Sequence, residues 1–223
     1  MPTASVAAYI DHTLLRPDAV AEDIVALCGQ ARQYGFASVC VNPCNVALAA
    51  KQLEGSPVKV CTVIGFPLGA TTSRTKAFET REALAQGAAE FDMVMNIAAL
   101  KAGENDLVVR DIAEVVAAAD GRIVKVILET GLLNEEQKVR AARLVKQAGA
   151  HFVKTCTGFA EGAASAEDMR LLRKTVGPEF GVKASGKVRG YAIAKELLAA
   201  GANRLGAVQS VKIVEEEKAA QSS

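Results

Sequence analysis

The chain of 223 residues has no tryptophan, only 4% aromatic residues and two histidines, His12 and His151. Those histidines lie far apart. The five cysteines, Cys28, Cys40, Cys44, Cys61 and Cys156, are scattered, with only Cys40 and Cys44 close in sequence. The paired Cys/His spacing of a zinc centre is therefore missing, and no metal is expected. An odd number of cysteines without a framework points to reduced thiols, read here as small buried side chains. Neither sign of charge dominates: 26 Lys plus Arg stand against 25 Asp plus Glu, net +1. With no basic cluster, nucleic-acid binding has no electrostatic footprint. Long hydrophobic runs are missing too. The longest uncharged stretch, 33–50, carries Gly, Ser, Pro and two Asn and cannot span a bilayer unaided. Met1-Pro2-Thr3-Ala4 lacks the basic and apolar parts of a secretion signal, so a cytoplasmic location without membrane contact is expected.

What the chain does have is aliphatic material, half of it being hydrophobic, which excludes intrinsic disorder and supplies a core. Short Val/Ile-rich runs alternate with Ala-rich stretches of helical spacing. Strands are expected at 9–13, 37–41, 58–64, 91–96, 124–128, 152–155, 181–184 and 204–206. Helices are expected at 21–34, 46–53, 72–86, 107–119, 135–147, 166–175, 191–200 and 211–219. Gly35, Gly87, Gly149 and Gly201 mark helix stops, and Asn134 and Ser165 with the acids behind them mark starts. Strand–helix alternation with short loops implies parallel pairing. Eight units at about 28 residues each suit a (β/α)8 barrel, the TIM barrel of the α/β class. An open doubly wound sheet is the competitor, but Asp11-His12-Thr13-Leu14-Leu15 is not the glycine-rich turn it should carry. No linker divides the chain. One domain, 1–223, is expected, with 215–223 a fraying helix end of no function.

In a barrel, chemistry sits at the carboxyl ends of the strands. Lys59 and Lys125 precede their apolar runs and are expected near the opposite face, their stems snorkelling to water. Lys154 and Lys183 instead close their runs, 29 residues apart, at equivalent places on neighbouring strands. Two amines in a shared dry pocket repel, and desolvation adds to this, so both favour the neutral nucleophile that iminium chemistry needs. Asp92, inside Phe91-Asp92-Met93-Val94-Met95, is costly unless paired. Beside a lysine it could pass protons through a water. Asp11 is a weaker case of the same kind. Each of these residues has a plainer structural alternative, a buried ion pair without catalytic duty. The turns Thr157-Gly158, Ser185-Gly186 and Gly206-Ala207 offer backbone N–H groups suited to a phosphate, each a weak signal alone.

Together these segments resemble the deoxyribose-phosphate aldolase family. The resemblance rests on Asp11-His12-Thr13-Leu14-Leu15, Val39-Cys40-Val41-Asn42-Pro43, Val63-Ile64-Gly65-Phe66-Pro67-Leu68-Gly69 and Glu90-Phe91-Asp92-Met93-Val94. It rests most specifically on Phe152-Val153-Lys154-Thr155-Cys156-Thr157-Gly158-Phe159 and Gly181-Val182-Lys183-Ala184-Ser185-Gly186. It runs in order from about Tyr9 to Val214. It implies a metal-independent, cofactor-free class I lyase of carbohydrate catabolism, cleaving 2-deoxy-D-ribose 5-phosphate to acetaldehyde and D-glyceraldehyde 3-phosphate. By the same resemblance Lys154 forms the Schiff base, Lys183 stands beside it to favour the free amine, and Asp92 runs a proton relay with Lys183 and a water. Asp11, Thr13 and Cys40 line the pocket, with Thr157, Gly158, Gly186, Lys187 and Gly206 around the substrate.

The chain departs from the family pattern at the phosphate end. Lys187 stands where a second glycine is usual, Val208-Gln209 where Ser-Ser is frequent, and Cys156 where Ser is common. No tyrosine closes the carboxyl terminus. A second reading therefore keeps the chemistry and shifts the acceptor toward aldehydes without phosphate. A third is a barrel that binds a sugar phosphate without turning it over. A metal-dependent aldolase has too few histidines. The oligomeric state is open, a homodimer or higher homo-oligomer included.

Overall fold

The computed structural model describes residues 5–222; the Met1–Ala4 start, on which the signal-peptide expectation rests, and Ser223 lie outside them. Eight parallel strands close into a barrel in sequence order. They are β1 (Ile10–Leu14), β2 (Ser38–Val41), β3 (Lys59–Ile64), β4 (Glu90–Val94), β5 (Ile123–Ile127), β6 (Phe152–Lys154), β7 (Gly181–Ser185) and β8 (Arg204–Ala207). The helices among the described residues are α1 (Ala21–Tyr34), α2 (Val46–Gln52), α3 (Ser73–Ala85), α4 (Ile97–Ala102), α5 (Asn105–Ala118), α6 (Glu135–Gln147), α7 (Ala166–Val176), α8 (Tyr191–Ala199) and α9 (Ser210–Gln221). All eight strands fall within two residues of the expected bounds. The (β/α)8 reading holds, and the open sheet does not. Short α4, after β4, was not expected: its six residues Ile97–Ala102 are too few to show helical periodicity.

Local signals act as physical chemistry demands. Asn134 and Gln137 exchange side-chain and backbone hydrogen bonds at the start of α6, at 2.9 and 3.0 Å. Ser165 Oγ accepts from Asp168 N at the start of α7. Gly35 ends α1 in the left-handed region, where a Cβ is costly.

Strand alternation divides the residues between two environments. Val39, Val41, Val60, Phe91, Met93, Val124, Val126, Val153, Val182 and Leu205 point outward into one buried apolar shell shared with the helices. The inward set carries charge: Asp11, Glu90, Asp92, Lys125, Lys154 and Lys183 are all buried.

Two expectations are corrected here. The end of the chain does not fray from Glu215. Helix α9 continues to Gln221, and buried Glu217 accepts hydrogen bonds from Ser5 Oγ and Val6 N. Glu216 accepts from Tyr191 N at the start of α8. Those carboxylates, invisible as anchors in an acidic tail, pin α9 to the segment before β1 and to the start of α8. Among the cysteines, Cys44 is exposed while the other four are buried, so the buried-thiol reading fails at that one position.

Candidate active site

The register of the barrel assembles the site. Lys154 on β6 pairs in register with Lys183 on β7, and Asp92 on β4 pairs with Lys125 on β5. Asp92 Oδ2 accepts from Lys154 Nζ at 2.8 Å and from Lys183 Nζ at 2.6 Å. Its other oxygen accepts from Lys125 Nζ at 2.9 Å and faces the Cys61 thiol at 3.2 Å. The three expected catalytic residues thus converge on one carboxylate.

Below them the network continues. Lys183 also donates to Asp11. Asp11 Oδ1 accepts from Ser38 Oγ at 2.7 Å and from Arg204 at 2.6 Å. Arg204 reaches Glu90 at 3.2 Å, and Glu90 takes Lys125 at 2.6 Å. Lys125 is therefore not snorkelling to water, contrary to expectation; it lies wholly inside the barrel. Its position at the centre of β5 puts it on the inward parity, opposite Asp92. Lys59, by contrast, is exposed as expected.

Three carboxylates, Asp11, Glu90 and Asp92, match three cations, Lys125, Lys183 and Arg204. Lys154 is the fourth cationic side chain, and it has no carboxylate to itself, sharing one oxygen with Lys183. Burial would push the Asp92 carboxyl up, but Lys125, Lys154 and Lys183 outweigh it and hold Asp92 well below the usual range. Asp11 is lowered the same way, burial being overcome by Lys183, Lys125 and Arg204. Lys183 runs opposite to the expectation of two amines both driven neutral. Burial opposes its charge, yet Asp11 and Asp92 raise it above the ordinary lysine range. The reason is local: repulsion between two amines is weaker than attraction to two carboxylates in direct contact.

The remaining expected residues divide. Cys40 is fully buried and opposite Thr13 in register, both on the inward parity. Thr13 donates to the Asp11 carbonyl on its own strand. Gly206 lies where a Cβ would stand 2.9 Å from Ser185 Oγ and 3.2 Å from Lys183 Cε, so glycine there leaves Lys183 its room. Gly158 and Gly186 both have positive φ, in the loops after β6 and β7. The Thr157 hydroxyl donates to buried Glu129 at 2.5 Å. Lys187 is exposed with φ +58°, apart from the interior network.

Sequence reasoning missed Lys125, Arg204, Glu90, Cys61 and Glu129. The first three had a usable signal, polar residues at alternate positions of strands whose other positions are aliphatic. Glu129 had none, because its left-handed backbone and its grip on Thr157 depend on two loops meeting.

The chain matches the family model for DeoC/LacD family aldolases over residues 5–208. It is 59% identical over 212 residues to a deoxyribose-phosphate aldolase of Geobacillus sp. (strain WCH70), covering 95% of each chain. Another deoxyribose-phosphate aldolase, of Caldanaerobacter subterraneus subsp. tengcongensis, is 56% identical over 96% of this chain and 94% of the relative. Among solved structures, the deoxyribose phosphate aldolase of Aeropyrum pernix, described as tetrameric, superposes with a TM-score of 0.90. It is 33% identical and covers 96% of this chain and 92% of its own. This chain belongs to the DeoC/LacD family of aldolases, and within it to the deoxyribose-phosphate aldolases.

Proposed function

We propose that the protein is a class I aldolase that reversibly cleaves 2-deoxy-D-ribose 5-phosphate, with Lys154 as the nucleophile. The observation that carries this is the charge count. Three cations are matched by three carboxylates, and Lys154 is the amine left over, the least buried of the three lysines. It keeps 3% exposure where Lys125 and Lys183 keep none.

The chemistry follows from that geometry. Lys154 Nζ adds to the C1 aldehyde of the open-chain sugar, and loss of water leaves an iminium. A base takes the proton of the C3 hydroxyl. The C2–C3 bond breaks, its electrons passing into the iminium to give a neutral enamine, and glyceraldehyde 3-phosphate departs. Protonation of the enamine at C2 and hydrolysis then free acetaldehyde and Lys154. Asp92, in contact with both amines, is placed to relay these protons with Lys183 through a water. Lys183 stays charged in this scheme, its ammonium held by Asp11 and Asp92 beside the Lys154 amine. Asp11 orients Lys183 from below, and Thr13 and Cys40 flank the cavity.

Gly158, Gly186 and Gly206 bring backbone toward the phosphate end, and Lys187 supplies a cation there. Val208, 68% exposed just past β8, favours a second reading in which the same chemistry tolerates acceptors without phosphate. The reading includes a cytoplasmic location, consistent with thiols that are all free, and assembly as a homo-oligomer. No described helix is long and apolar enough to cross a membrane.

Borohydride trapping with acetaldehyde tests the proposal. An ethyl adduct mapped to Lys154 is expected, together with a loss of cleavage of about 10⁴-fold or more in Lys154→Leu. A folded protein that forms no adduct, or a Lys154→Leu variant that still cleaves, overturns it and leaves a barrel that only binds sugar phosphate.

A further inference from the structure

Apart from the amines, the barrel interior holds two thiols that the proposed reaction leaves without a chemical role. Cys40 on β2 and Cys61 on β3 are direct register partners on adjacent parallel strands, both inward and both fully buried. Asp92 stands on the next strand. Cys40 Sγ, Cys61 Sγ and an Asp92 carboxylate oxygen all lie within 4.8 Å of one another. Their sequence spacing, 21 and 31 residues, hides this from any search for a paired ligand motif.

We propose that these three side chains form a site for one thiophilic divalent cation, zinc or cadmium, and that filling it silences the barrel. Two sulfurs and one carboxylate oxygen are a donor set that soft and borderline cations favour and that magnesium or calcium do not. In a tetrahedral site, metal–sulfur bonds of about 2.3 Å and a metal–oxygen bond of about 2.1 Å set the donors about 3.6–3.8 Å apart, within about 1 Å of the separations that this cluster spans. The balance of the step is simple. Two S–H protons leave to solvent, two metal–sulfur bonds and one metal–oxygen bond form, and nothing is oxidised. Replacing two protons by one divalent cation leaves the net charge of the buried network unchanged, so the exchange adds no unpaired charge to a low-dielectric interior. Lys125 Nζ, already 3.5 Å from Cys61 Sγ, is placed to donate to the thiolate that forms. A second group of donors, Asp11, Cys61 and Glu90, is equally compact. It has one sulfur against two, so the two-thiol group is the better host for a thiophilic cation.

The cation would take Asp92 Oδ1, the oxygen that now faces Cys61 and Lys125, while Oδ2 carries Lys154 and Lys183. A cation on that carboxylate competes for the electron density that the amines share. Binding follows from the donor geometry alone, whereas the silencing rests on the proposed aldolase reaction.

The test is a cadmium titration of the reduced full chain carrying Cys44→Ser, which removes the exposed thiol. Cadmium–thiolate absorption in the ultraviolet reports binding, and equilibrium dialysis counts ions. One cadmium per chain is expected, with cleavage lost on filling and restored by a chelator. Cys61→Ser, and independently Cys40→Ser, should weaken binding by at least about tenfold and reduce the absorption, while Cys28→Ser changes neither. Circular dichroism identifies any variant that does not fold, and the other ligand variant then decides. No stoichiometric uptake, or unchanged affinity in the folded ligand variants, overturns the site. Uptake with full cleavage retained overturns the silencing. A protein without aldolase activity that still binds cadmium through Cys40 and Cys61 would refute the reaction and leave the site standing.

Discussion

The barrel has two interiors, and they obey different rules. The shell between strands and helices is aliphatic, built from residues such as Phe91, Met93, Val126, Leu172 and Leu205, and it contributes stability through buried apolar area. The space inside the strands is charged, with Asp11, Glu90, Asp92, Lys125, Lys154, Lys183 and Arg204 joined by ion pairs. Barrel interiors are more often filled by branched apolar side chains. Exchanging those for ion pairs gives up easy stability, since a buried pair roughly breaks even against a hydrophobic substitute. The same pairs hold reactive groups at fixed distances in a dry space. One half of each strand's residues folds the protein, and the other half equips it.

That contrast can be broken from the inside. Lys125→Met leaves Asp92 and Glu90 without a shared cation, so about 3–5 kcal/mol of stability should go, and cleavage with it. Denaturant titration alongside kcat/KM checks this; a variant that loses neither would remove Lys125 from the network. The shell gives the sharpening control. Leu172→Ala, in the core face of α7, should cost about 3 kcal/mol yet leave kcat per folded molecule near wild type. A large fall in kcat at unchanged folded fraction would show that shell and interior are not separable.

At the rim the expected effect is smaller. Lys187→Ala should raise KM for 2-deoxyribose 5-phosphate about tenfold while sparing the unphosphorylated sugar. Equal loss on both substrates would deny Lys187 a part in phosphate recognition.

The smallest effect belongs to His12, which points outward between β1 and the helices, with Ser210 Oγ at 2.9 Å, the Gln30 side chain at 2.8 Å and Phe36 against its ring. Burial lowers its pKa from the ordinary histidine value, outweighing its hydrogen bond to Gln30. The folded state therefore binds fewer protons than the unfolded state below about pH 6.5. Stability from this residue is complete above that pH and falls as the pH drops through it. Tm measured from pH 7.5 to 5.5 should fall less steeply in His12→Gln than in the wild type. Parallel slopes would show that some other group governs this window.

The sequence pattern made much of this legible. Short aliphatic runs closed by Lys154 and Lys183, one barrel unit apart, identified both the fold and the two amines, because strand spacing and the carboxyl-end rule need no tertiary information. Asp92 was legible as a charge inside an apolar run. Lys125 precedes an aliphatic run, which points to the amino-end face, yet its parity along β5 turns it into the barrel opposite Asp92. Arg204 and Glu90 stand at strand starts on the same inward parity, a signal the sequence carries, but only barrel closure turns them toward each other.

By itself, then, the order of residues determined the eight strand–helix units, their parallel pairing and the amines at the strand ends, since these depend on local periodicity and chain connectivity. Tertiary structure alone decided which carboxylate serves which amine. It kept Lys183 charged and left Lys154 without a carboxylate to itself. It also brought Cys40 and Cys61 together beside Asp92. The physical reason is one of range: hydrophobic periodicity acts over a few residues, whereas ion pairs and thiol contacts depend on ångström distances between strands that are set only when the barrel closes.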